Sequence, residues 1–151
     1  MLKLNKSKSI YKLQKYFSGF KLLSQEQFPD LCLKGKLFKH EIKGTKVFFL
    51  FDDKNDYSDF SCGIALKTPC FNDKGIPNVL QRLIINGSTK YPLRESFQKL
   101  EKRGISSFTN FVGTDYSVYS FESSSFLDFK NSLNVVNDHI FNPRLSEADF
   151  C

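Results

Sequence analysis

Gly75-Ile76-Pro77-Asn78-Val79-Leu80-Gln81-Arg82-Leu83-Ile84-Ile85-Asn86-Gly87-Ser88-Thr89-Lys90-Tyr91-Pro92 is the stretch on which the reading of this chain turns. Pro77 stands in a first helical turn, where a missing N–H costs no hydrogen bond, so the stretch opens a helix. Asn86-Gly87 is a pair that lets a helix end in left-handed backbone. Val79, Leu80, Leu83 and Ile84 fall on one side of that helix and are predicted to face a core. Asn78, Gln81 and Arg82 stand at i, i+3 and i+4 and gather on another side.

Polar side chains at that spacing are how a helix offers two metal ligands with a base beside them, as in the inverted zinc motif H-x-x-E-H. Here the frame reads Asn78-Val79-Leu80-Gln81-Arg82. Zinc takes imidazole, thiolate or carboxylate, and the neutral amide of Asn78 is a poor substitute. Gln81 has no titratable proton and cannot act as general acid or base. Arg82 stays charged at any working pH. A single positive charge about 4 Å from a doubly charged ion costs about 8 kcal/mol at an effective dielectric near 20. From spacing alone, the three residues also read as an ordinary solvated helix face.

The flanks carry a resemblance. Gly75-Ile76-Pro77 before the frame and Asn86-Gly87-Ser88-Thr89-Lys90-Tyr91-Pro92 after it resemble the zinc-site segment of the pitrilysin/insulinase metallopeptidases, in particular the presequence-protease branch. The resemblance implies that Asn78 and Arg82 occupy the metal-ligand positions and Gln81 the base position, all three degenerate. It also implies a third ligand, a Glu on a later helix; the sequence reaches only Cys151 and is expected to stop before it. No functional catalytic or metal residue and no cofactor are therefore expected, zinc being the metal of active relatives.

Composition bounds the alternatives. The 151 residues, 40% hydrophobic, suffice for one domain with a core. A formal charge of +6 raises contact with nucleic acid or an acidic membrane. The lysines are scattered among acids along the sequence, with no recognisable nucleic-acid module, and no nucleic acid is expected. Cys32, Cys62, Cys70 and Cys151 show no C-x-x-C pair and no zinc-finger spacing, so reduced thiols in an intracellular compartment are expected. No segment reaches the length of an uninterrupted membrane span, and the chain reads as soluble.

Residues 1–18 form a basic leader with no acid before Glu26, and Leu4, Ile10, Leu13 and Phe17 can share one helical side. A mitochondrial or other organellar targeting peptide is one reading; general lysine bias, with a cytoplasmic chain, is the other. Residues 19–151 are read as a partial metallopeptidase-like N-terminal domain. Strands are predicted near Leu37–His40, over Val47–Phe51 (fully buried) and over Asp59–Lys67, where Phe60, Cys62, Ile64 and Leu66 alternate inward. Asp52–Asp56 lacks the glycine and distal Glu of a calcium loop and reads as a hairpin tip. A second helix is predicted over Leu93–Lys102, then strands over Ser106–Gly113 and Ser117–Phe121.

A last helix is predicted from Ser125, with Ser125 and Asp128 as a capping-box-like pair, to Asn142-Pro143. His139 is read as complementing its dipole. By resemblance, Asn110 and Phe111 match a sheet edge where substrate peptide adds as a strand, with Phe111 bulkier than the usual alanine and obstructive. The element order predicts an α+β fold, an antiparallel sheet with helices packed on one face, similar to the pitrilysin/insulinase repeat domain and incomplete at its C-terminus. The expected function is that of a catalytically inactive, truncated homologue of a zinc metalloendopeptidase. It would serve as a non-catalytic subunit, with an active homologue or the rest of the same chain as partner, or bind unstructured peptides. The alternative is a zinc endopeptidase completed by a longer chain or a partner.

Overall fold

The computed structural model describes residues 19–52, 59–72, 74–93, 99–100, 102 and 105–146. The leader, residues 53–58 with most of the expected hairpin tip, most of the helix expected over Leu93–Lys102 and everything after Ser146 lie outside the described residues. The chain divides into two compact units, Met1–Asp56 and Tyr57–Cys151.

The first unit holds β1 (Phe20–Phe28), β2 (Leu33–His40) and β3 (Lys46–Asp52) in the order β1-β2-β3, both pairings antiparallel. β1 has no clean alternation in sequence, because Leu22 and Leu23 are adjacent. The sheet absorbs the mismatch as a register irregularity between Leu22 and Ser24. Sequence patterning misses this strand for that reason. Gly35 is buried beneath two rings: a Cβ there would lie 2.9 Å from Phe28 and 3.1 Å from Phe48. The prediction of a fully buried strand over Val47–Phe51 is corrected. Among the described residues β3 is an edge strand with Phe48, Phe49 and Leu50 exposed, and an all-apolar run does not by itself supply a second layer to cover it.

The second unit holds β4 (Phe60–Lys67), α1 (Ile76–Ile84), β5 (Ile105–Val112), β6 (Tyr116–Ser123) and α2 (Phe126–Phe141). Its sheet runs β4-β6-β5, antiparallel throughout. Ile84, Tyr119, Phe121, Val136 and Ile140 form the buried centre, and Cys62, Ile64, Leu66, Ile85, Leu100, Phe108, Phe129 and Leu133 pack around it. The inward alternation read from β4 is thus what the fold uses. Ser125 caps α2, its hydroxyl accepting from the Asp128 N–H at 3.4 Å. Phe60 packs on Phe126 and Phe129 with ring centroids at 5.5 and 5.8 Å. The architecture is α+β, with antiparallel sheets and amphipathic helices.

Candidate functional site

α1 begins at Gly75, whose φ of 66° is left-handed and favours glycine, and its carbonyl accepts from the N–H groups of Asn78 and Val79 at 3.0 and 3.2 Å. Pro77 needs no such partner. At the other end Gly87 takes a φ of 143°, and a Cβ there would press within 3.2 Å of the Pro92 backbone. This glycine lets the segment Ser88–Pro92 fold back tightly against the helix exit.

The faces of α1 differ from those predicted. Leu83 and Ile84 are buried, but Val79 and Leu80 are exposed, at 49% and 37%. Gln81, expected on the polar face, is buried, whereas Asn78 and Arg82 are exposed. At 100° per residue Gln81 projects between Ile84 and Ile85, both of which meet the core, so the wall of α1 that meets the core lies nearer Gln81 than Val79. The Gln81 Nε2 is buried with no hydrogen-bond partner among the described residues.

Asn78 lines an open cleft of about 440 Å³ with Cys70 and Asn72 of the entry loop, Pro77, and Val112 and Gly113 at the end of β5. Gln81 and Arg82 are not among its lining residues. The Cys70 thiol donates to the Asn72 carbonyl at 3.1 Å. At the cleft's end a Cβ on Gly113 would lie 2.7 Å from the Tyr116 ring and displace it. Asn110 pairs with Tyr119 and Phe111 with Val118, on a strand whose outer edge is open among the described residues. Phe108 packs into the core, while Phe111 is 56% exposed and tilts onto Tyr116 with centroids 5.9 Å apart. One face of β5 is covered and the other is open, because β5 ends this sheet among the described residues.

These residues do not fit a zinc ion. The frame offers an exposed amide, a buried amide and an exposed guanidinium, and none supplies a thiolate, imidazole or carboxylate. Among the described residues, no three His, Cys, Asp or Glu side chains come together as a ligand set.

A second polar constellation holds the segment after α1 and leaves no sequence signal, since its partners lie some fifty positions apart. Asp138 is 6% exposed, and it accepts from the Lys90 N–H at 3.0 Å and the Asn142 amide at 3.0 Å. A hydrogen bond from Ser88, then the Lys90 N–H, hold its carboxyl below the usual carboxylate range. Ser88 in turn accepts from the Tyr91 N–H at 3.1 Å, and the Arg144 N–H donates to Gly87 O at 2.9 Å. Beside them His139 is fully buried, with Nδ1 2.9 Å from the Val135 carbonyl and its ring stacked on Tyr91 at 6.3 Å. Burial lowers its pKa, so the ring is neutral at pH 7. The expected charge–dipole role of His139 is corrected accordingly: it bonds the preceding turn instead.

The family description "Insulinase (Peptidase family M16)" matches residues 71–150, which include α1, the Ser88–Pro92 segment, β5, β6 and α2. The chain is 33% identical over 146 residues to the mitochondrial presequence protease of Drosophila melanogaster, covering 96% of this chain and 14% of that protein. It is 34% identical over 132 residues to that of Schizosaccharomyces pombe, covering 87% of this chain and 13% of that one. The crystal structure of pitrilysin superposes with a TM-score of 0.71 at 15% identity, over 86% of this chain and 14% of that chain, and shows a shared fold. The chain thus spans about one seventh of the length of these relatives. Among the described residues, no helix is long and apolar enough to cross a membrane. The match to residues 71–150 takes in the helix, the cleft beside it and the Asp138 network together, and the chain belongs to the insulinase (M16) family of peptidases.

Proposed function

We propose that this chain is a non-catalytic member of its family, one that keeps the helix-and-edge scaffold and has lost the metal chemistry. The observation that carries the reading is Gln81. The base position is held by an amide that faces the core side of α1, and its Nε2 has no hydrogen-bond partner among the described residues. An amide cannot take the proton of an attacking water. Asn78 and Arg82 at the two ligand positions remove the remaining reason for a divalent cation to dwell beside it. What is left is the open β5 edge, with Asn110 and Phe111 on it, which suits the addition of an extended, unstructured peptide by main-chain pairing.

The role that fits is non-catalytic binding, alone or alongside an active homologue or further M16-type sequence. The relatives named above are mitochondrial, and an organelle location is carried over on that likeness.

The test uses the purified chain with fluorescent unstructured peptides, followed by anisotropy and by gel, with and without zinc and a chelator. Saturable binding without cleavage is expected, weakened when Asn110 is replaced by proline: the Gly113 N–H bonds Tyr116 O, so in the alternating ladder Phe111 bonds toward β6 and Asn110 presents its main-chain donor to the open edge. Chelator-sensitive cleavage by the chain would overturn the reading.

A further inference from the structure

The lysines that look dispersed in sequence are brought into register by the first unit's sheet. Lys21 pairs with Lys39, and Lys39 pairs with Lys46, so three lysines form one row across β1, β2 and β3. Directly paired residues project from the same face of a sheet, and strands lie about 4.8 Å apart, so the row is only about 10 Å wide. All three side chains are exposed, and none makes an ion pair among the described residues. Like charges set opposite one another destabilise a sheet, so the arrangement costs stability by itself.

The row sits immediately behind the β2–β3 turn. That turn is tightly built: His40 Nδ1 accepts from the N–H groups of Ile42 and Lys43 at 3.3 and 3.1 Å. The His40 N–H donates to Thr45 O at 2.8 Å, and the Gly44 N–H to His40 O at 3.0 Å. The Glu41 N–H also donates to Gly19 O at 2.9 Å, tying the turn to the start of β1. At its apex Ile42 is 92% exposed, with Lys43 beside it. On the face that carries the lysines, the next rung pairs Leu37 with Phe48, and Phe48 is 56% exposed.

Of the acids described in the three strands and their β2–β3 turn, Glu41 alone stands near the lysine row. Glu41 is the acid of the turn, whereas Glu26 pairs with Gly35 and Asp52 with Leu33, four and six positions along β2 from Lys39. At about 3.3 Å per residue those acids lie roughly 13 and 20 Å from the lysine row, beyond a Debye length of about 8 Å at physiological salt.

We propose that this hairpin end docks on an anionic phospholipid bilayer. Ile42 enters the headgroup–acyl boundary, and Lys21, Lys39, Lys43 and Lys46 sit against the headgroups. A bilayer accepts both features at once: a projecting branched aliphatic side chain on a convex, stiff turn, and a collar of cations behind it. A nucleic-acid backbone would engage the lysines but gain nothing from Ile42, and a protein partner would need a pocket shaped to receive it. The contact lies on the membrane surface, and it is independent of whether the M16 site is catalytic.

The test is flotation of the full chain with vesicles of phosphatidylcholine alone or with added phosphatidylserine. Binding to the anionic vesicles only is expected, falling as salt is raised. Ile42→Ser should weaken it about tenfold, and Ile42→Leu should restore it. Replacing Lys21, Lys39 and Lys46 by glutamine should weaken it on the order of 100-fold, at about fivefold per lysine. The same change at Lys74, Lys99 and Lys130, exposed lysines of the second unit, should leave it intact. Three results would each overturn the proposal. One is no binding to anionic vesicles. Another is an equal loss from the second-unit lysines, which would indicate net charge alone. The third is lysine-dependent binding that is indifferent to Ile42→Ser and is competed away by single-stranded oligonucleotide, which would indicate a polyanion site.

Discussion

Two buried polar side chains of the second unit, Asp138 and Gln81, belong to the same family segment and are treated oppositely by the fold. Asp138 on α2 receives hydrogen bonds from Ser88, Lys90 and Asn142, so its carboxylate is satisfied and its charge is favoured. The buried Gln81 Nε2 on α1 has no hydrogen-bond partner among the described residues. The first position holds Ser88–Pro92 against the helix exit, a purely architectural task. The second is where the family resemblance places the general base. The contrast teaches that the fold satisfies the buried charge that holds the segment after α1, while it leaves the amide at position 81 out of balance with its described surroundings.

This contrast can be broken at the scaffold first. Phe121 is 1% exposed at the centre of the core, against Phe129 at 5.3 Å. Phe121→Ala is expected to destabilise the chain by about 3–5 kcal/mol, read from urea midpoints. A loss below ~1 kcal/mol would mean that the second unit is not organised around this core.

Next comes the clasp. The Asp138 carboxyl is depressed in the fold, so its contribution is present above the ordinary carboxylate pKa and is lost as pH falls through the depressed value. His139, depressed by burial, acts in the same direction: stability declines as pH drops below about 6.5, where the unfolded chain takes up a proton that the fold resists. Urea midpoints should therefore fall between pH 7 and pH 3. Asp138→Asn should lower the midpoint at pH 7 and flatten the acid limb of the profile. An unchanged midpoint at pH 7 would remove Asp138 from its architectural role.

The smallest effect sharpens the other half of the comparison. Gln81→Met keeps the volume and removes the unpaired amide, and it is expected to stabilise the chain by about 1 kcal/mol. Destabilisation by a similar amount would mean that the amide has a partner in the working protein and that position 81 still has a task.

How far the sequence carried this reading depends on distance along the chain. The start of α1 at Gly75 and Pro77, the Ser125 cap and the alternation of Cys62, Ile64 and Leu66 are local, and each was legible. β1 was not, because its alternation is broken at Leu22-Leu23 and only pairing with β2 restores it. Val79 and Leu80 were read as core because periodicity identifies an apolar side but not which neighbour arrives to cover it. The same limit put Gln81 on a solvated face when its flanking residues, Ile84 and Ile85, turn inward.

By itself, the sequence determined what chemistry the frame can offer. Asn78, Gln81 and Arg82 carry no thiolate, imidazole or carboxylate in any fold, because protonation and ligand character belong to the side chain. Only the tertiary structure decided where those side chains go. It turned Gln81 inward and left Arg82 out, joined Ser88 to Asp138 across fifty positions, and lined up Lys21, Lys39 and Lys46 in one row. The reason is physical: these placements follow from strand register and from contacts between distant segments, and local periodicity does not specify either.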